Sequence, residues 1–254
     1  MHSLQNKTAI ITGASAGIGR AAAKLFASNG AKVIVAARRR DLLDQLVGEI
    51  ESKGGHATAI DGDVQSEAFH RELAAEAMRL HGGLDIAFNN AGIMGTLCPV
   101  RDLSLDEWNE TISTNLTSGF LAAKHQVPLL EKAGGGSLIF TSSFVGHTVG
   151  MPSMAAYAAA KAGLIGLVQV LAAELGPSNI RVNALLPGGT DTDMGRSVAN
   201  TPETRAFVEN LHALKRIAQP EEIARAALYL GSDAASFVTG TAMLVDGGVS
   251  ITRT

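Results

Sequence analysis

The sequence predicts an α/β fold: a parallel sheet covered by helices on both faces. Three observations predict it. Short runs rich in β-branched and apolar residues alternate with longer helix-patterned segments along the chain. The runs are almost continuously apolar, as strands covered on both sides must be. The first of them leads straight into a glycine-rich turn and then into a helical pattern.

The elements follow in order. Strands are expected at 8–12, 32–36, 57–60, 84–89, 137–141, 181–186 and 242–245. Helices are expected at 17–29, 40–53, 66–81, 105–132, 154–175 and 220–231. Ser66-Glu67 opens the third helix. Ser104, three residues before Glu107, has the spacing of a capping box. Pro220 with Glu221 and Glu222 places proline and acids in a first helical turn. Gly134 to Gly136 reads as a turn, and 188–202 as the longest irregular stretch. No linker and no repeat divides the chain, so residues 1–254 are read as a single dinucleotide-binding and catalytic domain.

Composition narrows the function. Hydrophobic residues make up 46% of the chain and aromatics only 4%, so small aliphatic side chains fill the core. The net charge of −3 and the absence of long charge runs give no electrostatic footprint for nucleic acid. Cys98 is the only cysteine, which excludes an intrachain disulfide and a thiolate cluster and suits a reducing compartment. No run of about 18 uninterrupted apolar residues is present, so no membrane span is expected. An apolar strand already begins at Thr8, which argues against a cleavable leader. The expectation is a soluble cytoplasmic protein.

Gly13, Gly17 and Gly19 follow the first strand with the spacing G-x-x-x-G-x-G, enclosing Ser15 and Ile18. Such a turn brings backbone N–H groups and a helix N-terminus up to a pyrophosphate. NAD sites usually place an acid at the end of the second strand. Here the chain reads Ala36-Ala37-Arg38-Arg39, and arginine pairs a 2′-phosphate. NADP(H) is therefore expected, with Arg38 the main contact and Ser15 and Arg39 assisting; NAD(H) is the alternative. Asp61 and Asp63 have no further ligand nearby, so no metal is expected, and Asp63 with Val64 is placed near the adenine. Asn89, Ala91 and Gly92 follow the fourth strand, where open α/β sheets bind ligands; Asn89 could instead tie strands together.

Tyr157 precedes Lys161 by four residues, which puts both on one helix face. An ammonium beside a phenol favours the ionised form, so the pair suits acid–base work on an alcohol or carbonyl. The spacing alone is weak and fits a core tyrosine beside a surface lysine equally well.

The ordered set of segments is specific. Residues 12–19, Asp63-Val64, 89–92, Asn115, Ser143, Tyr157 with Lys161, and Pro187-Gly188 together resemble the short-chain dehydrogenase/reductase family over essentially the whole chain. The resemblance implies one Rossmann domain with a seven-stranded parallel sheet, doubly wound. It also implies a tetrad of Asn115, Ser143, Tyr157 and Lys161. Ser143 takes the serine role over Ser142 because Phe144-Val145-Gly146 follows it. It lies one residue further from Tyr157 than is common in the family, an insertion placed within 149–153. By resemblance, Tyr157 exchanges the proton, Ser143 holds the substrate oxygen, Lys161 lowers the tyrosine pKa and bonds the nicotinamide ribose, and Asn115 supports a proton-relay water. Pro187, Gly188, Thr190 and Thr192 flank the nicotinamide, and 188–215 forms a substrate lid.

Met94, Val145, Val149, Met154 and Met194 are the candidate pocket residues, giving a mainly apolar pocket for a small carbonyl or secondary alcohol. Sugar or alcohol dehydrogenases and 3-oxoacyl-carrier-protein reductases are the neighbouring readings. Ala173 and Gly134 stand where carrier-protein reductases often have arginine, which weighs against the latter. A dinucleotide-sensing regulator is the rival of another class, although such proteins usually lose the Tyr or Lys. His125 and His147 are read as the histidines nearest the chemistry. The apolar faces of 155–175 imply burial by more than its own sheet, and the resemblance implies a homotetramer.

Overall fold

The computed structural model describes residues 3–252. Seven strands form one parallel sheet: β1 (Thr8–Thr12), β2 (Lys32–Ala37), β3 (His56–Asp61), β4 (Ile86–Asn89), β5 (Gly136–Thr141), β6 (Ile180–Pro187) and β7 (Ala242–Val245). Their order is β3-β2-β1-β4-β5-β6-β7. The winding reverses between β1 and β4, and a ligand crevice opens at the carboxyl ends of strands at such a reversal.

The helices are α1 (Gly17–Ser28), α2 (Arg40–Glu51), α3 (Glu67–His81), α4 (Leu105–Ile112), α5 (Ser118–Lys132), α6 (Ala155–Leu175), α7 (Asp193–Val198), α8 (Pro202–Leu211) and α9 (Pro220–Gly231). They cover both faces of the sheet. Ile11, Val33, Val35, Phe88 and Ile139 point to the face packed by α1, α2 and α9. Ile10, Ile34, Ala87, Leu138 and Phe140 point to the face packed by α3, α5 and α6. Successive side chains enter different cores, so both positions of each strand must be apolar.

Ser104 and Glu107 form the expected capping box, with the Glu107 N–H donating to Ser104 Oγ at 3.2 Å and the Ser104 N–H to Glu107 Oε2 at 3.0 Å. Ser66 stands at the N-cap of α3 without a side-chain cap bond. Pro220 occupies the start of α9 as expected.

Two expectations need correction. The helix read over 105–132 is broken: a five-residue π segment, Ser113–Thr117, separates α4 from α5. A π turn is a local change of hydrogen-bond register, and residues 113–117 carry no glycine or proline that would announce it. The stretch 188–202 is not irregular, because it contains α7 and leads into α8. Six residues with Gly195 in the middle are too few to show a period.

Among the described residues α6 is the one helix long and apolar enough, by length and composition, to cross a membrane. Counting uninterrupted apolar residues misses this. Leu164, Val168 and Ala172 of α6 belong to the core of the domain, while Val170 is exposed.

Candidate active site

The first glycine turn is built for close approach. Gly13 and Gly17 have φ of +67° and +53°, the left-handed region that favours glycine. A Cβ on Gly13 would lie 2.9 Å from the Ala91 Cα, and one on Gly19 would collide with the Gly13 carbonyl. On Gly17 it would lie 2.9 Å from Thr192 Cγ2, so Thr192 closes the turn from the far side. Ala16, at the N-cap of α1, offers no side-chain cap, and no acid stands in the first turn. By contrast, α4 and α8 begin with capping boxes. The first N–H groups of α1 are left for an anion, and the cradle fits a dinucleotide pyrophosphate. Ile18 packs its side chain on the core, so only its backbone faces the cradle.

The arginines divide their work. Arg40 is held by Asp44 at 2.8 Å and Asp61 at 3.2 Å. Arg39 Nη2 donates to Ser15 Oγ at 3.0 Å. Arg38 is exposed and has no charged or hydrogen-bonded partner among the described residues, leaving its guanidinium available to a phosphate. Asp63 Oδ1 accepts the Gln65 N–H at 2.9 Å, and Val64 is buried beside it.

Asn89 is engaged inside the fold by Gln126. Its carboxamide and that of Gln126 in α5 are buried and bond reciprocally at 2.8 and 3.0 Å. The amide at the cofactor turn is Asn90, which the sequence reading passed over. Its Nδ2 donates to the Thr12 carbonyl at 3.2 Å and its Oδ1 accepts Thr141 Oγ1 at 3.1 Å. Thr12 Oγ1 in turn accepts the N–H groups of Asn90 at 3.0 Å and Ala91 at 3.1 Å. Thr12, Asn90 and Thr141 thus lash together the ends of β1, β4 and β5. Adjacent asparagines look alike in sequence, and only the facing of the strand end separates them.

Ser143, Tyr157, Lys161 and Asn115 converge beyond these strand ends. Lys161 is 3% exposed; its Nζ donates to the Thr141 carbonyl at 2.7 Å and lies 5.7 Å from the Tyr157 ring centroid. Ser142 Oγ donates to the Lys161 carbonyl at 2.7 Å, which ties it to the α6 backbone. Ser143 Oγ accepts the Val145 N–H at 3.1 Å, and its hydroxyl is the group that bears on the Tyr157 phenol. The geometry favours Ser143 of the two serines.

Asn115 sits in the π segment and is 2% exposed. Its Oδ1 accepts the Ile93 N–H at 2.9 Å and its Nδ2 donates to the Ile93 carbonyl at 2.8 Å. A Cβ on Gly92 would stand 2.8 Å from Asn115 Oδ1 and 3.3 Å from Lys161 Nζ. Gly92 therefore marks where the amide and the ammonium meet.

Burial sets the protonation states. It pushes Lys161 down to about 8. It raises the Tyr157 phenol, with Ser143 pulling the other way. The depression of Tyr157 by Lys161 expected from the sequence is not what the geometry gives: the ammonium lies over the ring and bonds Thr141. Tyr157 is consequently a protonated donor at neutral pH.

The segment after β6 is well held. A Cβ on Gly188 would lie 2.7 Å from the Asp246 Cα, so this glycine serves packing against the chain beyond β7. Pro187 pairs with Val245 in the sheet. Thr190 Oγ1 donates to the Gly188 carbonyl at 3.0 Å, and Thr192 Oγ1 caps α7 through the Gly195 N–H at 3.0 Å. Asp191 pairs with Arg196 at 2.7 Å and Arg205 at 3.5 Å and so latches α7 to α8. His212 is buried: its Nδ1 donates to the Val208 carbonyl at 2.8 Å and its Nε2 accepts the Gly189 N–H at 3.0 Å. It was not singled out from sequence, since a histidine at a helix end carries no distinguishing pattern.

Met94, Val149, Met154 and Met194 are half-buried, as pocket-edge residues are, whereas Val145 is 4% exposed and pairs with Val149. His125 does not face the chemistry; it lies 3.2 Å from Glu67 on the seam between α3 and α5. His147 is exposed.

A family model described as enoyl-(acyl carrier protein) reductase matches residues 13–250. The chain belongs to the short-chain dehydrogenase/reductase family. A 2,5-dichloro-2,5-cyclohexadiene-1,4-diol dehydrogenase of Sphingobium indicum is 39% identical over 252 residues, covering 98% of each chain. A structure described as an NAD(P)-dependent gluconate 5-dehydrogenase of Beutenbergia cavernae, with NADP bound at low occupancy, has a TM-score of 0.93 at 33% identity, covering 99% of each chain. A 7α-hydroxysteroid dehydrogenase with NADH and 7-oxo glycochenodeoxycholic acid has a TM-score of 0.92 at 39% identity, covering 97% of this chain and 95% of its own. The protein is thus an NAD(P)-dependent oxidoreductase acting on CH–OH or C=O groups.

The low pKa of Lys161 has a consequence for stability. The native ammonium releases its proton near pH 8, whereas a lysine in the unfolded chain releases it near ~10.4. Between these values the unfolded chain binds more protons, so unfolding free energy rises with pH. Urea titrations at mildly and strongly alkaline pH should show a gain of roughly 1–2 kcal/mol for wild type, and Lys161→Met should abolish it. An unchanged pH dependence in the variant would contradict the assignment.

Proposed function

We propose that the chain is an NADP(H)-preferring reductase and dehydrogenase of a small, partly apolar carbonyl or secondary alcohol. The observation that carries this reading is the convergence of Ser143, Tyr157 and buried Lys161 at the carboxyl ends of the strands, beside a glycine cradle suited to a pyrophosphate. When bound, the dinucleotide supplies or accepts the hydride.

The residues of the chain do the rest. The substrate oxygen is held by the Ser143 hydroxyl, whose Oγ is oriented by accepting the Val145 N–H. Tyr157, kept protonated by burial, donates to that oxygen as negative charge develops. The Lys161 ammonium over the ring stabilises the phenolate left behind. In the oxidative direction the same groups take the proton from the alcohol. Asn115 holds the Ile93 backbone and so fixes the wall beside Lys161.

The apolar, half-buried methionines support a substrate with hydrocarbon surface. Two relatives named for ring alcohols, the cyclohexadienediol and hydroxysteroid dehydrogenases, agree with it. The NADP preference rests on Arg38 and on the absence of an acid at the end of β2. Exposed Phe120 and Val170 on α5 and α6, with Phe237 and Ile251 near β7, support a homotetramer; a monomeric mass by light scattering would sink that expectation.

Tyr157→Phe should lower turnover about 10²–10⁴-fold while dinucleotide binding, followed by nicotinamide fluorescence, stays intact. Turnover at the wild-type rate would reject the proton donor. In a panel of bulky ketones, sugars, acyl thioesters and secondary alcohols, read by nicotinamide absorbance, bulky ketones and their alcohols should react best. Activity confined to thioesters would favour the carrier-protein reading instead. Wild type should show a higher kcat/KM with NADPH than with NADH, and Arg38→Ala should reduce the NADPH value roughly 10–100-fold with little change for NADH. A wild-type preference for NADH would refute the cofactor assignment.

A further inference from the structure

Helix α3 carries a buried histidine that the chemistry above does not use. His70 is 2% exposed, and its Nε2 lies 2.7 Å from the Val64 carbonyl. A carbonyl only accepts, so Nε2 carries the proton. Burial pushes the imidazole below its ordinary range, the bond to the Val64 carbonyl opposes this, and the smaller effects of His125 and Glu67 lower and raise it respectively. The ring is neutral at pH 7, and Nδ1 is a bare acceptor. Among the described residues no protein group donates to it, which is a rare and costly condition for a buried polar atom.

His70 lines a cavity whose other polar walls include Thr12, Asn89, Asn115, Ser118 and Thr141. The space open to the centre of a water-sized sphere is about 10 Å³, close to what a single water needs. Two of the nearby hydroxyls are committed elsewhere, while Thr12 Oγ1 accepts two N–H groups and keeps its own hydrogen. Ser118 donates to the Thr114 carbonyl at 2.6 Å, and Thr141 to Asn90. Asn89 and Asn115 each use one amide hydrogen, on Gln126 and on Ile93, and keep a second. The lining residues thus include one bare acceptor and spare donor hydrogens, which with this volume matches one water and no larger ligand.

We propose that this cavity binds one water molecule, which donates to His70 Nδ1 and accepts from the amide side of the wall, and that His70 held in this way is a positioning residue for the dinucleotide. Through Nε2 it fixes the Val64 carbonyl, and with it the buried Val64 side chain at the adenine end of the crevice. Through the water it links that end to Asn115 beside Lys161. The positioning role rests on the dinucleotide reading above; the water site does not.

The test has two arms. A crystal structure of the wild-type protein with NADPH, at a resolution that shows ordered solvent, should place one water within hydrogen-bond distance of His70 Nδ1. Long-range ¹⁵N NMR should show the Nε2–H tautomer. A dry cavity, or a protonated Nδ1, overturns the site. For positioning, NADPH is titrated by fluorescence into His70→Leu, His70→Gln and His70→Asn. Leu should raise the Kd roughly three- to tenfold, with kcat at saturation changed by less than about twofold. Gln, whose amide can donate to the Val64 carbonyl, should recover most of the loss. Asn, whose amide ends where Nδ1 does, should behave like Leu and serves in its place if the Leu variant does not fold. An unchanged Kd in the variant that folds, or a loss of kcat alone, overturns the positioning role. A wild-type protein that binds no dinucleotide would instead overturn the cofactor reading and leave the water site to the crystal.

Discussion

A lysine ammonium almost shut off from solvent has to be held, and here it is held by the backbone of Thr141 at the end of β5. The rest of the site depends on that contact. It fixes how far α6 stands from the sheet edge, and therefore where Tyr157, one turn earlier, presents its phenol. The Thr141 hydroxyl is tied to Asn90, and Asn90 to Thr12, so the bond that seats the lysine belongs to the lashing that closes the glycine turn. Cofactor cradle and proton donor are joined by side chains whose polar groups are spent on one another, which keeps buried polarity affordable.

Electrostatics follows from the same burial. Desolvation lowers Lys161 and raises Tyr157, so both shifts oppose the charged forms. The tyrosine is thereby kept as an acid. The cation over its ring becomes useful when negative charge reaches the phenolic oxygen, a stabilisation that grows along the reaction rather than in the resting site.

Much of the fold was legible because burial on both faces leaves a coarse mark. Ile10 and Ile11 enter different cores, and the run they belong to is apolar throughout. The site was legible to the extent that its residues occupy fixed places after strand ends. The π segment under Asn115, helix α7 after β6 and the roles of Asn90 and His212 were not. Each depends on where a carbonyl or N–H from a distant segment comes to rest. Ile93 clamps Asn115, and Gly189 engages His212, across about twenty residues of chain.

By itself the sequence determined the alternation of strand and helix, the cofactor turn with its required glycines, and the Tyr157–Lys161 face. These are local properties, set by the period of a helix or the clearance a backbone needs. Tertiary structure alone decided which of two asparagines faces the cradle, which partners hold Arg39 and Arg40, and which carbonyl seats Lys161. Neighbouring residues of one type share composition and propensity. They differ in the direction their side chains point, and that direction is fixed only when packing on both faces of the sheet orients the strand ends.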